Sequence, residues 1–242
     1  MPAITRSTLR QQLADALRDE VLAGRLPAGR QFTVKEIAEQ YGVSATPVRE
    51  ALVDLTAQGL LDADQHRGFR VHEFTLDDFV AMIEARTLVI KGVFRTGGHG
   101  SLSPARAASR ERQDALSSVR RRAVAARRAA LAGDLDVLIG YDLRFWRELG
   151  ELVGNSYVSD FLDRVRVHSW VFAVPHLRAR RDVAGLLWAG HLDLVAAVEA
   201  RDAVAVERIV TAYNDHSLTV VRSLVAPPAA RPRPADPPGD PA

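Results

Sequence analysis

The first seventy residues combine three short helical patterns with one pair of extended runs. Residues 7–24 carry leucines at four-residue intervals, which place them on one apolar face of a helix. Thr33 has the spacing of a capping box at the start of a second helix, and Ser44 is expected to cap a third. The runs 60–64 and 69–73 then predict a β-hairpin. Three helices followed by a hairpin are the parts of a winged helix-turn-helix, and few other folds fit this segment.

After Thr75 the apolar residues recur only at helical spacing, so the rest of the chain is predicted to be an antiparallel helical bundle. Pro175 is expected to kink or split its fourth helix. The fold class is therefore mainly α, in two domains, 1–73 and 74–226. Residues 227–242 are rich in proline and alanine and are predicted to be a disordered tail. The bundle helices are predicted near 75–95, 104–132, 134–153, 157–180, 182–201 and 203–225.

Composition limits the classes of protein and of site that the chain can form. It has no cysteine, which excludes disulfides and thiolate metal sites. Its formal net charge is +2, so a basic DNA-binding face would have to arise from the arrangement of the charges. The N-terminus has no apolar signal-like run, and no stretch is apolar enough to span a bilayer. We therefore expect a cytoplasmic protein that does not contact membranes.

The longest specific motif is GVSATPVREAL at 42–52, and residues 10–72 around it resemble the DNA-binding domain of GntR-type regulators. Ser44 and Thr46 place hydroxyls in the first turn of the predicted recognition helix, where free backbone N–H groups favour a phosphate. Arg49 lies one turn further and can contact a guanine edge or a phosphate. The alternative for Arg49 is an ion pair with a neighbouring acidic residue, Glu50 or Asp54, on a solvated helix face.

The resemblance implies further DNA contacts outside the recognition helix. It implies that Lys35 makes a basic contact with DNA, and that Arg67 and Gly68 contact the minor groove at the tip of the wing. His66 stays open between DNA contact and solvation. Ala45 replaces an arginine that is common in the family motif, so readout is expected to depend more on Arg49 and Lys35.

The second half resembles the FCD ligand-binding domain of the FadR branch of that family. The residues that carry this resemblance are Arg86 within EARTLVIKG, Asp142 with Phe145 and Trp146, and His191. Many such domains hold a divalent metal with one aspartate and three histidines. Here Trp146 stands at one histidine position and Tyr213 at another, with His216 one turn later.

Two kinds of site remain open for this half. One is a zinc, nickel or manganese site formed by Asp142, His191 and His216. The other, which we predict, needs no metal and binds a small organic effector, expected to be a carboxylate. Its residues are Arg86, Asp142, His191, Tyr213 and His216. The aromatic residues 168–176 around Pro175 are expected to be core and not site.

These patterns predict a ligand-responsive DNA-binding regulator, expected to be a repressor that binds a pseudo-palindromic operator as a homodimer. The junction Phe74–Asp77, between wing and bundle, is expected to transmit the effect of ligand binding to the DNA-binding domain. An effector-free DNA-binding protein is an alternative. An enzyme is disfavoured, because the chain has no Gly-rich phosphate loop, no Gly-x-Ser-x-Gly turn and no His-Glu-x-x-His helix.

Overall fold

The computed structural model describes residues 8–64, 67–95 and 110–226. The N-terminal part contains three helices and a three-stranded antiparallel sheet in the order β1-β3-β2. Its elements are α1 (Leu9–Leu22), β1 (Gln31–Phe32), α2 (Val34–Tyr41), α3 (Ala45–Ala57), β2 (Leu61–Asp64) and β3 (Gly68–Val71). The hairpin pairs Leu61 with Val71 and Asp64 with Gly68, as the sequence predicted. The short strand β1, which the sequence pattern did not predict, pairs with β3 on its other side.

Side-chain caps fix where the first helices begin. Thr8 caps α1 and Thr33 caps α2, each through a reciprocal capping box. Ser44 occupies the N-cap position of α3, but its side chain makes no capping hydrogen bond. The prediction that Ser44 caps this helix is therefore wrong for its hydroxyl, which is exposed to solvent.

The C-terminal part is a helical bundle. Helices joined by short links pack against each other, as α5 and α6 do, and must therefore run antiparallel. A third capping box, between Thr75 and Asp78, starts the first bundle helix directly after the wing. Each backbone N–H donates to the other side chain, at 2.8 and 3.1 Å. The bundle helices are α4 (Leu76–Arg95), α5 (Arg110–Ala132), α6 (Leu135–Glu151), α7 (Ser156–Arg178), α8 (His191–Glu199) and α9 (Ala203–Val225).

The structure confirms the mainly helical fold class and corrects one of the predicted helices. Residues 181–190 form turns and not the start of a helix, so α8 is much shorter than the predicted 182–201. Gly185 in this segment has a φ of +80°, which breaks helical geometry. Pro175 lies inside α7, yet the helix continues to Arg178 and is not split. The predicted start of the 104–132 helix and the tail 227–242 lie outside the described residues.

One hydrophobic core runs through both parts of the chain. It joins Leu13 and Leu55 of the N-terminal helices to Phe79 of α4 and Val171 of α7. A second cluster fills the bundle around Phe145, Trp146 and Tyr213. No helix within the described ranges has the length and apolar character needed to cross a membrane.

Candidate DNA-binding surface and ligand cavity

Helix α3 buries one face and presents the other to solvent. Val48, Leu52 and Leu55 are completely buried, and this fixes how the helix lies on the domain. Its first turns expose the predicted contact residues Ser44, Thr46 and Arg49, together with Ala45. Exposed hydroxyls at a helix N-terminus, followed one turn later by arginine, suit a phosphate and a base edge.

The acidic neighbours of Arg49 are not its partners in the part of the chain that the structure describes. Asp54 forms a bidentate ion pair with Arg10 of α1. No ion pair joins Arg49 to Glu50 or Asp54 among the described residues. The geometry therefore favours the DNA-contact interpretation of Arg49 over the solvated ion pair.

Lys35 and Arg67 of the wing are also exposed. The Lys35 ammonium lies 3.8 Å from the Glu39 carboxylate, and such an exposed pair is weak and does not hold the side chain. At the wing, the backbone N–H of Arg67 donates to the Asp64 carboxylate at 3.2 Å, and the residue is exposed to solvent. His66 lies outside the described residues.

Gly68 has a structural reason to be glycine. Its φ is +91°, and a Cβ atom there would lie 2.6 Å from the carbonyl oxygen of Phe32. The close approach seen here is thus to strand β1. A contact between Gly68 and DNA stays a prediction.

A cavity of about 70 Å³ lies between α4, α6, α7 and α9 of the bundle. Four of the predicted effector residues line it, which are Arg86, Asp142, Tyr213 and His216. His191 is completely buried behind Asp142 and is not part of the lining. The remaining wall is largely apolar and includes Phe79, Ile83, Leu138, Ala173, Leu177 and Val221.

Arg86 is the polar side chain of this wall whose hydrogen-bond donors lack acceptors. Its side chain is buried, its carbon Cζ lies 4.8 Å from the centre of the Tyr213 ring, and its atoms Nε and Nη2 have no hydrogen-bond partner. Burial lowers the pKa of Arg86 to about 10. The guanidinium is thus still charged at neutral pH, with donors that nothing in the described chain accepts.

A second buried arginine, Arg166 of α7, is held more tightly. Its Nη1 donates to the Tyr213 hydroxyl at 3.0 Å, and its guanidinium carbon lies 3.9 Å from the centre of the Trp146 ring. The sequence analysis did not single out Arg166. Its place in the wall depends on how α7 packs against the other bundle helices, so no spacing within α7 could have identified it.

Asp142 accepts hydrogen bonds from three helices. Its carboxylate accepts hydrogen bonds from Trp146 at 3.0 Å, from Trp170 at 2.9 Å and from His191 Nε2 at 3.0 Å. Burial raises the pKa of Asp142, but the His191 hydrogen bond, the charge of Arg166 and the Trp170 hydrogen bond outweigh this and lower it. Asp142 is therefore a buried carboxylate.

The residues do not fit the metal site given as the alternative. Trp146 supplies an N–H donor to Asp142 at the position where a ligand nitrogen would stand. His216 Nε2 donates to the Leu186 carbonyl at 2.9 Å instead of facing Asp142. Among the described residues, no three His, Asp or Glu side chains come close enough to hold a metal ion. The predicted set of Asp142, His191 and His216 is not brought together.

The charges around the cavity do not balance. Arg86 and Arg166 contribute two positive charges to the lining and Asp142 one negative charge. Unpaired buried charge is costly, and an anion that accepts from Arg86 would remove that cost. Of the aromatic residues expected to be core, Trp170 also lines the cavity, and so does Trp188 from the turns before α8.

Helix α7 also contacts the N-terminal domain. His168 Nε2 donates to the carbonyl of Gln58, the C-cap residue of α3, at 2.9 Å. Its ring packs against Phe74 at 4.7 Å between centroids. Because Arg166 and Trp170 lie two residues to either side, the helix that lines the cavity also contacts the end of the exposed helix α3.

Two family comparisons match successive parts of the chain. Residues 9–71 match the family described as bacterial regulatory proteins, gntR family, and residues 102–216 match the FCD domain.

Curated relatives match over different lengths. A protein of Paenarthrobacter nicotinovorans, named as a D-xylose utilization operon transcriptional repressor, is 42% identical over 84 residues. That match covers 35% of this chain and only 37% of the relative. The HTH-type transcriptional repressor RspR of Escherichia coli K12 is 25% identical over 221 residues, which cover 88% of this chain and 89% of RspR.

Solved structures share the fold. Escherichia coli McbR/YncC has a TM-score of 0.63 at 21% identity and covers 90% of this chain and 99% of its own. A GntR structure from Rhodococcus sp. RHA1 has a TM-score of 0.65 at 19% identity, over 88% and 97% of the two chains.

Proposed function

Since this chain belongs to the GntR family of bacterial regulatory proteins and carries an FCD domain, we propose that it is a transcription regulator whose DNA binding responds to a small organic anion. The relatives are regulators and not enzymes. Repression is the proposed outcome, because both relatives matched above are named repressors. We place the protein in the cytoplasm, bound to DNA as a homodimer on a pseudo-palindromic operator.

DNA is contacted by the exposed face of α3, with the wing beside it. Ser44 and Thr46 bind the phosphate backbone, and Arg49 contacts a base edge. Lys35 and Arg67 add phosphate or minor-groove contacts that carry less sequence information. The exposure of all five residues supports this arrangement.

The test of this surface starts from a random pool of duplexes, from which the wild type should enrich one pseudo-palindromic sequence. Arg49→Ala should then bind that duplex at least about fivefold more weakly, since a bidentate base contact contributes about 1–3 kcal/mol. Lys35→Ala should weaken binding to all duplexes alike and reduce its salt dependence. Unchanged binding by Arg49→Ala would contradict the assignment.

The effector is a small carboxylate bound at Arg86. The observation that carries this is the buried guanidinium with two unpaired nitrogen atoms at the wall of the cavity. The cavity is smaller than the ~150 Å³ of an engineered cavity that binds benzene, so only a compact acid fits without rearrangement. No metal is required, because Asp142 already has donors from Trp146, Trp170 and His191.

Helix α7 transmits the effect of ligand binding to the DNA-binding domain. An anion at Arg86 changes the charge beside Arg166 and Trp170, and these flank His168, which contacts the end of α3. The Phe74–Asp77 junction takes part, since Phe74 packs on the same histidine. A ligand can change DNA affinity only if it binds one arrangement of the two domains more tightly than the other.

Acetate and acetamide form a matched pair of probes for this site. Both are compact, and only acetate carries the charge. Acetate, and small acids such as pyruvate and lactate, should raise the melting temperature of chelator-treated protein and change its affinity for the enriched duplex, whereas acetamide should do neither. A thermal shift that requires zinc, nickel or manganese would restore the metal-dependent site. No shift with any acid would favour the effector-free alternative.

A further inference from the structure

A second and larger cavity lies on the other side of the Arg166–Trp146 contact. Its volume is about 200 Å³, and both Arg166 and Trp146 form part of its wall. We call it the distal cavity. Five helices contribute apolar side chains to it, among them Ile90, Leu149, Leu162, Val198 and Val206.

The apolar side chains of the distal cavity are incompletely buried. All five named above are only partly shielded from solvent, although they face one another across the bundle. The volume exceeds the ~150 Å³ that suffices for a benzene molecule in an engineered apolar cavity. A ligand with an aromatic or short alkyl body would cover this surface and gain the free energy of apolar burial.

Besides Arg166, two arginines contribute positive charge to the distal cavity. Arg112 of α5 and Arg201, which follows α8, both belong to the lining. Burial lowers the pKa of Arg112, and the nearby charge of Arg201 lowers it further, so the two guanidinium groups repel each other. The acidic residue of the wall, Asp163, is paired with Arg147 at 3.2 Å.

Arg201 is held in an unfavourable backbone conformation. Its φ is +57°, the one positive φ of a non-glycine residue within the described ranges. Such a position normally takes glycine or asparagine, because a Cβ atom is strained there. An arginine at this point places a charged side chain beside the cavity at a cost in stability.

We propose that the distal cavity is a second ligand site, which binds an organic acid with an apolar body and holds its carboxylate between Arg112 and Arg201. It is separate from the small-acid site at Arg86 and does not depend on it. The two sites share Arg166 in their walls, so occupancy of one changes the surroundings of the other.

The probes are 3-phenylpropionate and its neutral analogue 3-phenylpropanol, titrated into the full chain by calorimetry. The acid should bind at least about tenfold more tightly, because charge-assisted hydrogen bonds to arginine are stronger than neutral ones. Saturating acetate should not displace the acid. Displacement by acetate, or equal binding of acid and alcohol, would overturn the proposal.

Arg201→Gly separates ligand binding from folding. The variant should melt at a higher temperature, since glycine relieves the backbone strain, and yet lose the preference for acid over alcohol. Val206→Trp should block both probes, while Val204→Trp, exposed on the same helix, should bind them as the wild type does. Unchanged acid binding in Val206→Trp, or an unchanged preference in Arg201→Gly, would contradict the site.

Discussion

Arg86 lies in an environment that is costly for a charge. It is almost completely shielded from water, and the nearest aromatic ring, Tyr213, compensates only in part. Replacing an incompletely paired buried charge by an apolar group of similar size is often neutral or stabilising. Its presence therefore indicates a role in ligand binding more than a role in folding.

Arg86→Met should accordingly keep or raise the melting temperature of the ligand-free protein. It should also abolish the thermal shift with acetate, because the guanidinium that donates to the carboxylate is gone. Differential scanning calorimetry with and without acetate measures both effects. Arg120→Met, which removes an exposed arginine paired with Glu199, serves as the matched control and should retain the acetate response. Large destabilisation of Arg86→Met would assign the residue a structural role instead.

His168 should make stability depend on pH in a defined window. Burial lowers its pKa to about 4, and the charge of Arg164 and the neighbouring His72 contribute in the same direction. An unfolded histidine has a pKa near 6.5, so between pH 6.5 and 4 the unfolded chain takes up a proton that the folded chain does not. This contribution to stability is therefore complete above pH 6.5 and is lost as the pH falls towards 4.

Chemical denaturation at pH 7.5 and pH 5 tests this. The wild type should lose about 2 kcal/mol more than His168→Phe between the two conditions. His176→Phe, on the same helix, should lose as much as the wild type. Identical losses in wild type and His168→Phe would show that the histidine is not buried in solution.

Site residues could be predicted from the sequence where they belong to a recognisable motif. Arg86 and Asp142 belong to stretches that resemble a family, and both line the cavity. Arg166 and Trp188 line it too, but no local pattern separates them from ordinary core residues. Their roles follow from which helices become neighbours, and spacing within one helix does not contain that information.

At the scale of elements, the sequence predicted the helices wherever apolar spacing and a cap agreed. It failed at 181–190, where apolar residues recur at nearly helical spacing. There Trp188 packs against Trp146 and Tyr213 from a turn, and its ring lies so close to Gly190 that a Cβ atom would meet it at 2.8 Å. Tertiary packing of one indole thus overrides the local helical preference.

The wing depends on a close contact at Gly68 that leaves no room for a side chain. Gly68→Ala should destabilise the protein by about 1–3 kcal/mol, because a Cβ atom would be strained at a φ of +91° and would contact the Phe32 carbonyl. Gly140→Ala is the matched control, in the middle of α6 with open space around the added carbon. It should stabilise by about 0.5–1 kcal/mol in urea denaturation. A neutral Gly68→Ala would mean that the wing can shift away from β1.

At the scale of the whole molecule, the proposed connection between ligand and DNA runs through the contact of His168 with Gln58. His168→Phe preserves the ring packing against Phe74 and removes the hydrogen bond to the end of α3. This variant should bind acetate and the enriched duplex with nearly unchanged affinities, but acetate should no longer alter DNA affinity. Titrations of each ligand in the presence of the other measure this coupling. Persistent coupling would place the connection elsewhere, with the Phe74–Asp77 junction next to be tested.

The hydrophobic core that joins Leu13 and Leu55 to Phe79 and Val171 has a consequence for how the two domains can be separated. An excised N-terminal domain would expose the apolar face that normally packs on α4 and α7, and such faces promote aggregation. The domain boundary near residue 73 therefore separates two functions of the chain, but it does not separate two units that fold independently. Truncation at that point should yield a fragment that aggregates, whereas the intact chain should unfold in one cooperative transition.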